Sequence, residues 1–239
     1  MTFPKTAAHF RDHALASICC AHLRRKKLKP EHIQPDPFRA FVEAIVSGDS
    51  STAVSLLDAS PVLAKERAAH GAKRQRANPN FFDQILHYIY EGDTALHMAA
   101  AACQARIAAE LIAKGADVRA RNRRGAEPLH YAADGGPGSP AWNPGAQAKI
   151  IAGLIQAGAD PNAPDRSGVG PLHRAVRNRC AAAVKALLDG GADPQAPNKN
   201  GSTPMLLASQ NTGRSGSGSA EAKAQQKEIL RLLTERGAA

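Results

Sequence analysis

The sequence Gly170-Pro171-Leu172-His173 indicates the fold, because variants of it occur three more times in the chain. The other copies are Thr94-Ala95-Leu96-His97, Glu127-Pro128-Leu129-His130 and Thr203-Pro204-Met205-Leu206. The third residues of successive copies are 33, 43 and 33 positions apart. A recurring period of this length indicates a protein built from stacked copies of one supersecondary unit.

Each copy predicts two short helices followed by an extended loop. In the copy that begins at Gly170, Pro171 suits the first turn of a helix, and a second apolar run follows from Ala181 to Leu188. Gly191 favours a stop after this second helix, and Asn200-Gly201 is a turn signal that closes the loop. Because helices this short are unstable alone in water, the units must stack to bury their apolar faces.

This pattern resembles the ankyrin repeat family. The family motif opens the first helix with Thr-Pro-Leu-His, ends the second with Gly-Ala-Asp, and repeats every 33 residues; here Gly-Ala-Asp occurs at 115–117, 158–160 and 191–193. The resemblance covers residues 92–239. Departures are Glu127 and Gly170 in place of Thr, and Leu206 in place of His. The resemblance implies an all-α solenoid of about five helix-turn-helix units, with protruding hairpin-like loops and three inserts.

The domain organisation follows from the phase of the repeats. We predict a basic N-terminal extension at 1–34 and a repeat domain at 35–239, in which residues 35–67 form a divergent first unit. The remaining units are predicted at 92–124, 125–167, 168–200 and 201–239. The predicted helices are 38–47, 53–58, 95–102, 105–113, 128–134, 147–156, 171–178, 181–188, 204–210 and 225–235.

Three inserts interrupt the period. For the insert at 68–91 we predict a short amphipathic helix from about 80 to 90, with Phe81, Phe82, Ile85 and Ile89 packed against the first two units. The inserts near 135–145, which contains the only tryptophan (Trp142), and near 212–224, which is rich in glycine and serine, both fall between the two helices of a unit. They are expected on one edge of the stack.

Composition and charge exclude several classes of protein. No run of 18 apolar residues is present, so we expect neither a membrane span nor a membrane partner. The four cysteines lack metal-site spacing, which favours a reduced, cytoplasmic setting, and no cofactor is expected. The net charge is +10, and residues 1–34 hold seven basic but only two acidic groups. The abundance of alanine and arginine is typical of a high-GC bacterial source.

The histidines and cysteines that invite a metal or catalytic interpretation have a structural one. We interpret His97, His130 and His173 as side chains that hydrogen-bond to the backbone of neighbouring loops. Because they recur about one repeat apart, they are too distant from one another to share a metal ion. The histidines and cysteines between His9 and His22 are interpreted as chance members of a helix or tail, and Arg24–Lys27 as a solvated linker. No nucleophile has a base and an orienting group in phase, so we predict no enzyme and no metal site.

The resemblance implies protein–protein recognition through loop tips and first helices. Six candidate residues are basic, which predicts an acidic partner on the concave face, bound by a monomer. Two alternatives stay open: nucleic-acid binding through the basic N-terminus and concave face, and a ligand or enzymatic site formed by the inserts. Carried over by phase, the candidate contact residues are Asp93, Arg123, Arg124, Tyr131, Asp134, Arg166, Arg174, Arg177, Asn178, Lys199 and Gln210.

Overall fold

The computed structural model describes residues 36–73, 78–139, 142–210 and 218–237, and these contain ten α-helices and one two-stranded sheet. The predicted all-α repeat architecture is confirmed. No helix in these ranges is both long and apolar enough to cross a bilayer. The helices are α1 (Pro37–Ser47), α2 (Ser50–Ala59), α3 (Ala95–Ala101), α4 (Ala105–Ala113), α5 (Pro128–Ala132), α6 (Pro144–Gln156), α7 (Pro171–Arg177), α8 (Ala181–Asp189), α9 (Pro204–Ser209) and α10 (Ala220–Glu235).

The helices form two layers. The first helices of successive units pack in the order α1, α3, α5, α7 and α9, and the second helices pack in the order α2, α4, α6, α8 and α10. The leucine of the repeated motif is buried in three units, at Leu96, Leu129 and Leu172. Alanines such as Ala99 and Ala132 are also buried, and their small side chains let neighbouring helices approach closely.

Capping residues explain where the helices begin earlier than predicted. The side chain of Asp49 accepts a hydrogen bond from the Thr52 amide, so α2 begins at Ser50. Asn143 caps α6 in the same way, and Ser219 caps α10. Each cap satisfies an amide that the helix itself leaves free. The start of α10 therefore lies inside the segment predicted as the insert at 212–224; residues 212–217 of that segment lie outside the described residues.

The three phased histidines link each unit to the next. The His97 Nδ1 atom accepts a hydrogen bond from the Thr94 amide, while Nε2 donates to the Ala126 carbonyl at 3.1 Å. His130 and His173 repeat this arrangement, and their Nε2 atoms lie 3.1 Å from the carbonyl oxygens of Val169 and Ser202. The interpretation of these side chains as hydrogen-bond partners of the loop backbone is confirmed.

The loops that connect consecutive units, residues 114–127, 157–170 and 190–203, also bond to one another. The Arg166 amide donates to the Arg124 carbonyl at 3.0 Å, and the Lys199 amide donates to the Ser167 carbonyl at 3.3 Å. Each loop folds around one side chain, Asn122, Asp165 or Asn198, whose oxygen accepts two backbone N–H groups of its own loop. These bonds hold the loop tips in a regular row.

The insert at 68–91 does not form the predicted helix. Residues 67–73 run antiparallel to 89–94, and the pairing includes hydrogen bonds from Ala68 to Asp93 and from Ala72 to Ile89. Gly71 is required here, because a Cβ atom on it would lie 2.3 Å from the Glu91 nitrogen. Beyond this ladder the chain forms a hairpin of strands β1 (Phe81–Phe82) and β2 (His87–Tyr88).

The hairpin explains why the helical prediction was wrong and the packing prediction largely correct. Phe82 and Ile89 are buried in the core and Ile85 packs partly against it, whereas the half-buried Phe81 stacks on Tyr88 with ring centroids 4.6 Å apart. Aromatic and β-branched residues favour such a pleated, two-sided surface over a helix. The spacing of these four residues fits both structures, and the pairing with residues 67–73 decides between them.

Candidate functional site

A groove with a volume of about 530 Å³ lies between the hairpin, the first helices α5 and α7, and the connecting loops. Leu86, His87 and Tyr88 supply its wall on the hairpin side. Of the eleven candidate contact residues, it brings together six: Arg124, Tyr131, Asp134, Arg174, Arg177 and Asn178. Asp93, Arg123, Arg166, Lys199 and Gln210 do not line it.

Arg174 is not the free cation that the phase of the repeats predicted. Its guanidinium lies 2.7 Å from Asp134 Oδ2 and 3.1 Å from Asp165 Oδ2, and its side chain is only 14% exposed. Burial by itself would raise the pKa of Asp134, but the neighbouring Arg174 and His87 bring it down to about 2. Arg174 therefore compensates two carboxylates, and its prediction as an unpaired cation of the binding surface is corrected.

Asp93 and Tyr131 are buried, which contradicts their prediction as contact residues. Their exposed fractions are 0% and 2%. The Tyr131 hydroxyl donates to the Asp93 carboxylate at 2.8 Å, and the Asn122 side-chain amide donates to the same carboxylate at 2.8 Å. A third bond comes from the Tyr90 amide. This cluster joins the end of the insert to the next connecting loop and to α5.

Five basic candidates, two that line the groove and three on the connecting loops, have no acidic partner among the described residues. The Arg124 guanidinium donates to the Tyr90 hydroxyl at 3.0 Å, and both Arg123 and Arg124 lie beside the Tyr90 ring. Arg123 also donates to the Ala72 carbonyl. The set without an ion pair is Arg123, Arg124, Arg166, Arg177 and Lys199.

The last two candidates, Asn178 and Gln210, differ in whether they line the groove. Asn178 lines the groove at the end of α7, where its side-chain amide lies 3.4 Å from Asp134 Oδ1. Gln210 is exposed and lies away from the groove; its backbone carbonyl accepts a bond from Arg179. Asn178 is thus positioned by an acid that Arg174 already neutralises.

The hairpin contributes site residues that sequence reasoning missed. The ring of His87 stacks on Tyr131 at 4.4 Å, and its Nε2 atom lies 3.3 Å from the Asp134 carboxylate. No repeat landmark marks this residue, because the insert has no counterpart in the other units. Asn122, Asp165 and Asn198 were also missed, although their shared position, five residues before the first residue of the repeated motif (Glu127, Gly170 and Thr203), was a usable signal.

Among the described residues, metal-ligating side chains are not clustered, and the two cysteine thiols are only weakly acidic. No group of three or more His, Cys, Asp or Glu side chains among them is placed to hold a metal ion. Burial raises the pKa of the Cys103 thiol to about 11 and also raises that of Cys180, which disfavours the reactive thiolate. The cluster between His9 and His22 and the basic run Arg24–Lys27 lie outside the described residues.

Comparison with known proteins supports the repeat assignment. Residues 41–140 match a family model described as ankyrin repeats in three copies, and residues 154–208 match one described as ankyrin repeats in many copies. Together the two matches span more than half of the chain. No curated protein matches it.

Proposed function

Because the chain belongs to the ankyrin repeat family, whose members generally mediate protein–protein interaction, we propose that it is a recognition module whose groove binds an acidic segment of another protein. The groove has the form this function needs: it is bounded by connecting loops, first helices and an additional hairpin wall. Extended surfaces of this kind are what stacked repeats offer to partners.

The observation that carries the proposal is the imbalance of charge around the groove. Its two acids, Asp134 and Asp165, are already paired with Arg174. The cations at its lining and along the loop tips have no such partner, and Arg124, Arg166, Arg177 and Lys199 are exposed. An acidic segment would be steered toward this surface and would relieve the repulsion between the unpaired cations.

The size of the groove indicates that the contact extends beyond it. A stable and specific complex buries about 1,200–2,000 Å² of surface, which is more than a short groove supplies alone. Arg166 and Lys199 lie on the connecting loops next to the groove and would extend the basic surface along the row of loop tips. A partner segment that follows this row meets basic side chains from three consecutive loops.

Charge reversal tests the proposal. The variant Arg124→Glu/Arg177→Glu changes two exposed residues of the groove, whereas Arg106→Glu/Lys149→Glu changes two exposed residues without ion pairs on the second helices α4 and α6. Both variants change the net charge equally. We expect the groove variant to lose affinity capture of partners from a cell lysate, while the control keeps it and both retain the parent melting temperature.

The salt dependence of capture gives a second measurement. Association through unpaired surface cations weakens as salt screens the electrostatic field. Between 0.05 and 0.5 M salt the Debye length falls from ~14 to ~4 Å, so the parent and the control variant should both lose capture yield over this range. Equal capture by the groove variant and the parent at low salt would refute the proposal. The next surface to test would then be the edge around Trp142.

A further inference from the structure

One side-chain amide in the lining of the groove has a donor that the protein does not use. The Oδ1 atom of Asn198 accepts the backbone amides of Asn200 and Ser202, at 2.9 and 3.1 Å. These two bonds fix the orientation of the side chain and identify its other terminal atom, Nδ2, as the amide nitrogen. Asn198 is 9% exposed and lines the groove. The loop therefore holds this side chain in one orientation, and only its two N–H groups are left to bond elsewhere.

This donor can be reached from the groove. The Nδ2 atom of Asn198 has no hydrogen-bond partner among the described residues. It is also not one of the unpartnered atoms that are sealed inside the protein, which belong to other residues such as Gln147 and Arg179. A polar group that enters the groove therefore finds an accessible donor, which in the free protein is left to water.

Asn122 occupies the same position in another connecting loop and shows what such a donor binds. Its Oδ1 atom also accepts two backbone amides of its own loop. Its Nδ2 atom donates to the Asp93 carboxylate at 2.8 Å and to the Tyr131 hydroxyl at 2.9 Å. Within this chain, the acceptor that complements an asparagine in this position is therefore a carboxylate, accompanied by a hydroxyl.

The corresponding acceptors are missing beside Asn198. Asp93 corresponds to Val169, because each directly precedes a copy of the repeated motif. Tyr131 corresponds to Leu207, because each directly follows the fourth residue of the motif. Neither Val169 nor Leu207 has a side-chain acceptor, and Val169 is part of the groove lining. The stack therefore leaves Asn198 without the carboxylate that the same loop position has two units earlier.

We propose that Asn198 binds one carboxylate side chain of the acidic segment, in the place that Asp93 takes beside Asn122. This inference rests on the proposed function for the identity of the segment. The surrounding charge favours it, since Arg177 in the groove lining and Lys199 in the same loop are exposed and have no ion pair among the described residues. A carboxylate also accepts a stronger hydrogen bond than a neutral oxygen does. Asn198 thus determines where along the groove one acidic residue of the segment lies.

Acetate tests the site directly, because it reproduces the carboxylate of an aspartate side chain. Acetamide has nearly the same shape but no charge, and it serves as the control ligand. We expect acetate to shift the NMR signals of the Asn198 side-chain amide, while those of Asn122, whose donor is occupied, stay in place. Acetamide, or sodium chloride at the same ionic strength, should shift the Asn198 signals much less. Equal shifts from acetate and both controls, or no shift at Asn198, would overturn the inference.

The variant Asn198→Asp removes the donor and keeps the oxygen that the loop needs. Asp165 fills this position in the middle loop and accepts two amides in the same way, so we expect the variant to retain the parent melting temperature. Asn200→Asp is the matched control, because it places the same charge on an exposed residue of the groove lining. A peptide of eight glutamates should bind Asn198→Asp at least about tenfold more weakly than Asn200→Asp, since only the first variant loses the hydrogen bond to a carboxylate.

The charge-reversed variant Arg124→Glu/Arg177→Glu separates this inference from the proposed function. If charge reversal weakens binding of the glutamate peptide while Asn198→Asp and Asn200→Asp bind it equally, the carboxylate site is overturned and the basic groove stands. If acetate shifts the Asn198 amide but charge reversal leaves peptide binding unchanged, the site stands and the groove is refuted as the place where the acidic segment binds. The acetate titration of the parent protein decides the question if Asn198→Asp melts early.

Discussion

At the scale of single residues, consecutive repeats are joined by histidine side chains that accept one hydrogen bond and donate another. Each phased histidine receives a backbone amide of its own unit on Nδ1 and donates from Nε2 to the next unit. This arrangement requires the neutral ring, because a protonated Nδ1 cannot accept. Burial correspondingly lowers the pKa of His97, His130 and His173.

We predict that these histidines make the fold sensitive to mild acid. Burial lowers the pKa of His130 from 6.5 to about 4, so between these values the unfolded chain binds more protons than the folded one. Stability is therefore complete above pH 6.5 and falls as the pH drops toward 4. For His130 alone, the loss between pH 7 and pH 5 is roughly 2 kcal/mol. Urea titrations at both pH values measure it.

The variant His130→Gln is the control for this pH effect. A glutamine at this helix position can accept the same Glu127 amide, but it does not titrate. We expect its free energy of unfolding to vary less with pH than that of the parent. An unchanged pH slope would show that His130 is not the source of the acid sensitivity.

Two arginines on α7, three residues apart, have opposite roles. Arg174 lies between Asp134 and Asp165, whereas Arg177 is exposed and has no ion pair among the described residues. We predict that Arg174→Ala lowers the free energy of unfolding by about 3–5 kcal/mol, because it leaves two carboxylates without a counter-charge. Arg177→Ala should change it by less than about 0.5 kcal/mol. Thermal melts of the two variants make the comparison, and similar melting temperatures would contradict it.

At the scale of elements, the hairpin acts as an additional wall for the stack. Phe82 packs in the core and receives the Arg39 guanidinium over its ring at 4.6 Å, so the hairpin contacts the first unit. His87 stacks on Tyr131, so the same hairpin also contacts the third unit. An insert that holds residues of two non-adjacent units is part of the folded core and shapes the groove at the same time.

We predict that Phe82→Ala destabilises the protein by about 3–5 kcal/mol, because it leaves a cavity where a buried ring was. Phe81→Ala is the matched control, since Phe81 is its half-buried neighbour on the opposite face of the strand. It should cost less than half as much. Chemical denaturation followed by circular dichroism measures both changes. Equal effects of the two substitutions would mean that the hairpin does not pack as described.

At the scale of the whole molecule, the units differ in how much they bury. The first helix of the fourth unit, α7, buries five residues, while the first helix of the last unit, α9, buries only Pro204 and Ala208. In a stack of repeats, stability is a sum of unit and nearest-neighbour terms, so a weakly buried first helix at the end of the stack contributes little. Local opening should therefore begin there.

We predict that backbone amides of α9 exchange with solvent at least about tenfold faster than those of α7, because local opening of the end unit exposes less apolar surface. Hydrogen exchange measured at single residues, for example Leu207 in α9 against Arg174 in α7, tests this difference; both amides bond to a carbonyl four residues earlier in the chain. Equal protection of the two helices would indicate that the stack opens only as one unit.

The repeat architecture and the positions of most helices follow from local patterns in the chain. The repeated motif predicts the first helix of each unit, because its proline favours helix initiation and its leucine marks the face that becomes buried. The same phase predicted the histidine bonds, since three consecutive units repeat them. Signals of this kind depend only on residues within one unit and its copies, so they can be recognised in the sequence.

The form of the 68–91 insert and the composition of the site depend on contacts between segments that are distant in the chain. The aromatic spacing of the insert fits a helix or a hairpin, and pairing with residues 67–73 selects the hairpin. Phase placed Arg174 and Arg177 on one surface, but it contained no information about Asp134 and Asp165, which approach Arg174 from another unit and from a connecting loop. Whether a charged side chain has an ion-pair partner depends on residues that are distant in sequence. Their separation in space is fixed only when the units stack.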